Sequence, residues 1–429
     1  MQTSASGAGA AQQSASAITL EDAIARAETN EPQFAASRAE SRSAALDRTM
    51  ARTAMLPTVD YHNQALYTQP NGQTNHAGQT GNQQAPIFIA NNAVHEYASQ
   101  AAINDTVGLA GYAAMRKADA AAARAAAELE VARRGLISAV TGLYYGEIAA
   151  TNKLAAAERA RKEAGDFSQL TGQRESAREA AHADVLKAQL EEQQRERELE
   201  DARLAAEKAH LELGVLLFAD PRTAYTLAPA ENTQALPTRE ELEQAASKNN
   251  PELKSALAAL KESNADVMAA RAAYLPDVAL NYTYGIDAPQ FAVNGPDGVH
   301  NMGYSASVTV DLPVWDWLAT EHKVKQSEIR RDAAQVALTA SQRRLIAQLE
   351  ETYHEAETAR AQLASLDESA KTAAESLRLT KLRYTGGEAT VLEVVDAQST
   401  LLAAENARED GLVRYQTARA ELLTMTGTM

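Results

Sequence analysis

Apolar residues recur at two different periods along this chain, and these periods predict its elements. Over residues 278–286 and 303–312 apolar and polar side chains alternate, which is the pattern of a β-strand with two unlike faces. Two less regular strands are predicted at about residues 57–68 and 94–103. The apolar positions of the two regular strands are Val278, Leu280, Tyr282, Tyr284, Tyr304, Val308 and Val310.

The second period is seven residues and predicts long helices that supercoil against neighbours. No proline interrupts the chain from about Asp316 to Tyr384, and leucine and alanine repeat there every seven residues. At about 1.5 Å per residue, such a helix is on the order of 100 Å long. One opening helix is predicted before each strand pair, ending at Leu56-Pro57 and Leu275-Pro276, and a last helix at about Thr390–Met425. The predicted fold class is therefore mainly α with four β-strands.

The same order of predicted helices and strands occurs twice along the chain, which indicates a tandem repeat. Thr19, Pro32 and Pro57 return 219 residues later, and Ala188-Gln189 returns 209 residues later as Ala397-Gln398. We predict a disordered tail at residues 1–17, a first repeat at 18–218, a proline-containing linker at 219–237 and a second repeat at 238–427. The tail has no apolar core of the kind that a signal peptide carries, so either this is a mature chain from which a signal peptide has been removed or the protein is cytoplasmic.

Composition narrows the classes of function. The excess of 57 acidic over 41 basic residues argues against nucleic acid as a partner. The absence of cysteine excludes disulfides, thiolate metal sites and cysteine nucleophiles. The eight histidines form no metal-binding pair, and the chain has no phosphate loop and no GxSxG motif. We therefore expect no cofactor, no metal site and no enzymatic activity.

The length and the alternation of the predicted strands are also those of strands that span a membrane. Nine to ten alternating residues match a tilted membrane-spanning strand in length. Four strands cannot close a barrel, because small closed barrels need about eight, and an open strand edge in lipid leaves amides without partners. If the strands lie in a membrane, the chain must oligomerise.

One stretch breaks the long helical pattern and begins the last helix. Residues 382–398 read LRYTGGEATVLEVVDAQ and turn at the two glycines. Together with the strand-to-helix segment Val310–Asp316, this stretch resembles the TolC family of outer-membrane efflux proteins, from about Ile18 to Gly427. The residues of the stretch that carry the resemblance are Tyr384, Gly386, Gly387, Glu393, Asp396, Ala397 and Gln398.

The resemblance implies an architecture and a function. It implies a homotrimer with a twelve-stranded outer-membrane barrel and a helical tunnel across the periplasm. The implied partners are outer-membrane lipid, a periplasmic adaptor (membrane fusion protein) and an inner-membrane pump of the RND, ABC or MFS type. The implied function is the exit duct of a tripartite efflux or type I secretion system in a Gram-negative-type bacterium, passive and gated at its periplasmic tip. The exported substrate, the pump class and the resting state of the tip stay open.

The resemblance also places the candidate site residues. Glu393 and Asp396 share a helix face, so a trimer would gather them into an acidic constriction that favours cations and raises some of their pKa values; Asp184 is the first-repeat equivalent of Glu393. Tyr384 matches the network that closes the tip, with Arg178 or Arg174 as a basic partner, although Ala389 stands where the family's archetype has a basic residue. The expected adaptor-docking turn consists of Thr385, Gly386, Gly387, Glu388 and Thr390.

The same patterns permit a second class of protein. Long heptad-bearing helices also build soluble coiled-coil scaffolds or adaptors without a pore. In such a scaffold the strands would be half-buried in the ordinary way, and Glu393 and Asp396 would be solvated charges on a helix surface. Trp315 and Trp317 fit either a membrane-interface belt or a packed hinge.

Overall fold

A computed structural model gives the fold and describes residues 17–67, 95–229, 236–288, 290–295, 298 and 300–427. The predicted tail lies outside the described residues except for Ala17, as do residues 230–235 of the predicted linker and residues 68 and 94 of the first two predicted strands.

The described residues form eight helices and four strands. The first half contains α1 (Leu20–Asn30), α2 (Pro32–Thr53), β1 (Thr58–Tyr67), β2 (His95–Val107), α3 (Leu109–Ser176) and α4 (His182–Leu217). The second half contains α5 (Arg239–Asn249), α6 (Pro251–Ala272), β3 (Asp277–Ala288), β4 (Met302–Asp311), α7 (Ala319–Thr385) and α8 (Val391–Thr426). The halves share one element order, with helices of 11, 22, 68 and 36 residues in the first and 11, 22, 67 and 36 in the second. A tandem duplication would produce this parallel; the duplication itself stays a prediction.

Threonine side chains cap the starts of three of these helices. The hydroxyl of Thr19 accepts from the amide of Asp22 at the start of α1. Thr238 and Thr390 begin α5 and α8 with complete capping boxes, in which Glu241 and Glu393 bond back to the backbone amide of the threonine. These threonines therefore fix where the chain enters each helix.

Proline corrects the prediction of one opening helix in each half. The structure divides the opening helix of the first half at Glu31-Pro32 and the opening helix of the second half at Asn250-Pro251. Proline lacks an amide hydrogen and disfavours helical backbone in the residue before it. Glu31 and Asn250 accordingly have ψ angles of 116° and 123°, outside the helical range. Each proline then occupies the first position of a new helix, where its missing amide hydrogen costs nothing.

The residues form two compact units. The sheet unit comprises the described parts of residues 40–126 and 255–339, including all four strands. The helical unit comprises the described parts of residues 1–39, 127–254 and 340–429, including α1, α4, α5, α8 and most of α3 and α7.

In the sheet unit the strands pair in the order β1-β2-β3-β4, all antiparallel. Directly opposed residues lie on the same face of a sheet. The register sets Val278 opposite Val310, Leu280 opposite Val308 and Tyr284 opposite Tyr304. The same face continues onto the first two strands through Ile103 and Val107 of β2 and Val59 and Tyr61 of β1.

This apolar face is exposed to solvent in the single chain. The exposed fractions of Val59, Tyr304 and Val308 are 72%, 76% and 68%. Asp105, opposite Leu280, interrupts the face with a charge. The opposite face is polar and is tied by side-chain hydrogen bonds, from Asn281 to Asn104 and between Thr283 and Ser305.

The helical unit is held by three groups of buried apolar side chains. The first joins α1, α3 and α4, and the second joins α5, α7 and α8. Within the first group, the hydroxyl of Tyr144 donates to the carbonyls of Ile18 and Ala228. The chain after α4 is also fixed by Tyr225, whose hydroxyl donates to Glu147 at 2.6 Å; burial and this carboxylate raise the pKa of Tyr225. The third group contains the candidate site.

Candidate functional site

The ends of α3 and α7 meet the starts of α4 and α8 in one buried group, which we call the tip cluster. Its members are Phe167, Ala188, Tyr384, Val391 and Val394. Tyr384 is 5% exposed and Val394 is fully buried. The turns predicted to lie at the periplasmic tip are therefore anchored to each other inside one chain.

Tyr384 makes the contacts that hold α7 against α3 in this cluster. Its ring packs edge-on against Phe167, with 5.0 Å between ring centroids. Its hydroxyl lies 3.4 Å from the hydroxyl of Thr171. The guanidinium of Arg174 lies 4.9 Å from the ring centroid and donates to the carbonyls of Tyr384 and Thr385 at 2.7 and 2.8 Å. Arg174 thus donates to two carbonyls at the end of α7, of which that of Tyr384 also accepts from the amide of Gly387 at 3.1 Å.

Of the two arginines considered as partners of Tyr384, the structure brings Arg174 into contact. Arg178 lies past the end of α3, exposed, and its side chain makes no hydrogen bond or ion pair with the described residues. Its backbone is left-handed, with φ of 65°, and Gly387 has the equivalent conformation after α7, with φ of 77°. Both turns close in the same way, because the amides of Glu179 and Glu388 donate to the carbonyls of Arg174 and Arg383 at 2.8 Å.

Glu393 is engaged by its own helix start. Its carboxylate accepts from the amide and the hydroxyl of Thr390, each at 3.1 Å, and lies 3.4 Å from Arg383. The bonds from Thr390, and then the charge of Arg383, lower the pKa of Glu393 from its ordinary value of 4.5. The side chain is nevertheless 44% exposed, so it is open to solvent and ions.

The other predicted constriction residues, Asp396 and Asp184, are not in contact with Glu393. Asp396 is exposed, one turn further along α8. Asp184 is partly exposed in the first turn of α4. A ring of these carboxylates would need more than one copy of the chain.

The predicted adaptor-docking turn is open to solvent. Thr385, Gly386, Gly387, Glu388 and Thr390 are all exposed. The carbonyl of Thr385 is held by Arg174, and the carbonyl of Glu388 accepts from Arg383 at 3.0 Å. The turn is therefore a surface with a fixed backbone.

Sequence reasoning did not single out Phe167, Thr171 or Arg383. A signal for Arg383 was present, because it lies 209 residues after Arg174, the same spacing that relates Ala188 to Ala397. Phe167 and Thr171 carried no signal, since they lie inside a long helix with many apolar and small residues.

Trp315 and Trp317 lie between β4 and α7 in the sheet unit. They contact each other edge-on at 5.8 Å and are 69% and 83% exposed. The single chain does not bury them in a hinge.

Two kinds of feature are missing from the described part of the chain. Within it, no three histidine, aspartate or glutamate side chains are grouped so that they could hold a metal ion. Over the same residues, no helix combines the length and the apolar character needed to cross a membrane.

Comparison with known proteins finds one matching family model and related proteins. Residues 242–428 match the family model of outer membrane efflux proteins. Outer membrane protein OprJ of Pseudomonas aeruginosa is 27% identical over 177 residues, which are 41% of this chain and 36% of OprJ. Protein CyaE of Bordetella pertussis is 27% identical over 338 residues, covering 74% of this chain and 67% of CyaE.

A solved structure extends the likeness to the whole fold. The outer membrane channel CmeC of Campylobacter jejuni superposes with a TM-score of 0.80 at 16% identity, covering 100% of this chain and 93% of CmeC. The second half of the chain thus matches the family model, and both halves share the fold of a channel. The chain is thus similar to the outer membrane efflux proteins, the TolC family, in the sequence of its second half and in its fold.

Proposed function

We propose that this chain is the outer-membrane exit duct of a tripartite efflux or type I secretion system. The observation that carries the proposal is the exposed apolar face across all four strands, backed by a hydrogen-bonded polar face. Outward apolar and inward polar side chains are the arrangement of a strand between lipid and a water-filled lumen. Export through such a duct is passive, which agrees with relatives that are channels.

The sheet edges support a homotrimer. Among the described residues, β1 and β4 each pair with one strand only, so each has an edge without a partner there. In lipid every unpaired backbone group costs several kcal/mol, so edges of neighbouring copies must pair. Three copies of four strands would close a twelve-stranded barrel, surrounded by outer-membrane lipid.

The tip residues take their roles within this duct. Arg174 and Tyr384 hold the two turns of one chain together, and the exposed Arg178 lies four residues after Arg174. In a trimer Glu393, Asp396 and Asp184 line an acidic constriction that favours cations. The exposed turn at Thr385–Thr390 receives the periplasmic adaptor, which connects the duct to an inner-membrane pump of the RND, ABC or MFS type.

The alternative, a soluble coiled-coil scaffold, is less well supported. A soluble scaffold would leave Tyr304, Val308 and Val310 in water at 76%, 68% and 58% exposure. Contiguous exposed apolar surface of this kind marks a membrane or protein contact. Of the proteins that this chain matches, OprJ is an outer membrane protein and CmeC is an outer membrane channel.

The proposal is tested by the mass of the protein extracted from outer membranes in mild detergent. Light scattering corrected for bound detergent should give a protein mass near three times 45.9 kDa, about 138 kDa. The same particles, inserted into a planar bilayer, should conduct ions. A soluble one- or two-copy protein that needs no detergent would contradict the duct and favour the scaffold.

A further inference from the structure

We propose that a small cavity among α3, α7 and α8 binds a buried water molecule, which hydrogen-bonds to the side-chain amide of Gln398. The site lies within one chain, in the helical unit, and does not depend on how many copies form the duct. It gives a role to a residue of the stretch 382–398 that neither the turn nor the proposed constriction uses.

Gln398 has a buried side chain whose polar atoms lack partners. It lies on α8 about one turn after Val394 of the tip cluster and is 6% exposed. Its amide nitrogen and amide oxygen are both buried, and neither makes a hydrogen bond with any described residue. Most buried polar side-chain atoms in proteins have a hydrogen-bond partner, because an unpaired one costs free energy. A partner that is not among the described residues is therefore expected at this amide.

The equivalent glutamine of the first half is placed differently. Gln189 lies 209 residues before Gln398, at the corresponding turn of α4, and is exposed. The amide of Gln189 can therefore take its hydrogen bonds from bulk water. Of the two glutamines that the repeat relates, only Gln398 needs a partner inside the protein.

Gln398 lines a cavity of a suitable size. The cavity has a volume of about 30 Å³, and its apolar lining includes Ala156, Ala160, Leu377 and Leu402. A cavity can hold a water molecule when it offers at least roughly 10–15 Å³ and two or more polar partners. This cavity therefore has room for one or two water molecules, whereas sites for organic ligands are about ten times larger or more.

Further polar partners for the water lie on the same walls. The carboxylates of Glu163 and Glu405 line the cavity. Glu405 pairs with Arg159 at 3.2 Å, and Glu163 pairs with Lys381 at 2.7 Å. A carboxylate has about four acceptor positions, so each keeps capacity for another hydrogen bond. The water can therefore accept from the amide nitrogen of Gln398 and donate to its oxygen or to a carboxylate.

The charges around the cavity favour water over an ion. Each of the two carboxylates already has a cationic partner in Arg159 or Lys381. Among the described residues, no three histidine, aspartate or glutamate side chains are grouped so that they could hold a metal ion. Water can both donate and accept, which matches an amide that offers a donor and an acceptor.

The bound water extends a polar contact between helices. The pairs Arg159–Glu405 and Lys381–Glu163 join α3 to α8 and to α7. Through the water, the amide of Gln398 joins the same network. The helices are therefore held by apolar packing at the tip cluster and by a hydrated polar contact about one turn further along α8.

The direct test is a crystallographic or cryo-electron microscopy map of the detergent-extracted protein, at a resolution that shows ordered water. Density should lie about 2.7–3.2 Å from the amide of Gln398, which is the length of a hydrogen bond. Absence of this density from a map that shows surface waters would overturn the proposal. Several oxygen contacts of about 2.3–2.6 Å would identify a cation and would also overturn it.

Two variants show whether the amide holds the water. The density should disappear in Gln398→Leu and remain in Gln416→Leu. Gln416 is also buried and lies on the same face of α8, about five turns further along and outside this cavity. Density that persists in Gln398→Leu would overturn the proposal, because the ion pairs alone would then hold the water. If Gln398→Leu does not fold, the map of the unchanged protein still decides.

Discussion

At the scale of single residues, the hydrogen bonds and charges around Glu393 set the pKa of its carboxyl group. Sequence reasoning expected mutual repulsion among the carboxylates that a trimer gathers to raise some of their pKa values, and this stays a prediction. In the single chain the pKa of Glu393 is lowered, because the amide and hydroxyl of Thr390 and then the charge of Arg383 favour the ionised form. Glu393 therefore serves the start of α8 as well as the proposed constriction.

This lowered pKa predicts a pH dependence of stability. A carboxyl group whose folded pKa lies below its unfolded value stabilises the fold above the unfolded value, here near 4.5, and the contribution disappears as the pH falls through the folded pKa. Glu393→Gln should therefore lower the thermal unfolding midpoint at neutral pH and flatten its decline below about pH 4.5. Scanning calorimetry from neutral to acidic pH measures both effects.

Asp396→Asn is the control for this prediction. Asp396 is exposed on the same helix face and takes no part in the capping box. Its replacement should leave the steep acid decline in place. Equal flattening in both variants would mean that general charge repulsion, and not the helix start, governs the pH dependence.

The choice between Arg174 and Arg178 shows where sequence reasoning ends at this scale. The two arginines are four residues apart and would share one face if the helix continued. The helix ends at Ser176, so Arg178 falls in the turn and only Arg174 keeps the helical position that reaches Tyr384. That end point depends on the tertiary contacts of the tip cluster, which the sequence pattern does not contain.

At the scale of elements, the two turns between long helices offer a paired test. Arg178 and Gly387 occupy equivalent left-handed positions, but an L side chain there costs roughly 1–2 kcal/mol that glycine avoids. Arg178→Gly should raise the free energy of unfolding by about 1 kcal/mol and Gly387→Ala should lower it by about 1 kcal/mol. The unfolding midpoint should move in the same direction as the free energy in each variant. Scanning calorimetry of the detergent-extracted protein measures the two shifts.

Arg178→Ala separates backbone strain from the loss of charge. It removes the guanidinium but keeps the β-carbon that causes the strain. It should leave the midpoint close to that of the unchanged protein. A gain in Arg178→Ala as large as in Arg178→Gly would show that the charge, and not the backbone, destabilises the turn. Gly387 has free space around its α-carbon, so a loss in Gly387→Ala comes from the backbone conformation and not from a clash.

The elements differ in how far the sequence could predict them. The strands were predictable because strict alternation over about ten residues fits the two-residue period of a strand and does not fit a helix. The break of the opening helix was missed because the buried Ala23, Ala27 and Phe34 keep helical spacing across Pro32. The pairing of β2 with β3 could not be predicted from a local sequence pattern, because α3 to α6 separate these strands along the chain.

At the scale of the whole molecule, the two faces of the sheet predict opposite consequences for adjacent residues. Tyr282 lies on the apolar face, opposite Ala306, and Thr283 lies on the polar face, opposite Ser305. An arginine on a lipid-facing strand costs about 2–4 kcal/mol near the middle of the membrane, whereas one on the lumen face stays in water. Tyr282→Arg should therefore reduce the three-copy protein in outer membranes strongly.

Thr283→Arg carries the same charge one residue further along the same strand. It should assemble normally and shift the ion preference of the duct in a planar bilayer toward anions, because it adds positive charge to the lumen. Membrane fractionation and bilayer current at unequal salt concentrations measure the two effects. Equal tolerance of both variants would mean that neither face meets lipid. Loss of assembly in Thr283→Arg alone would mean that the sheet is turned the other way, with its apolar face inward.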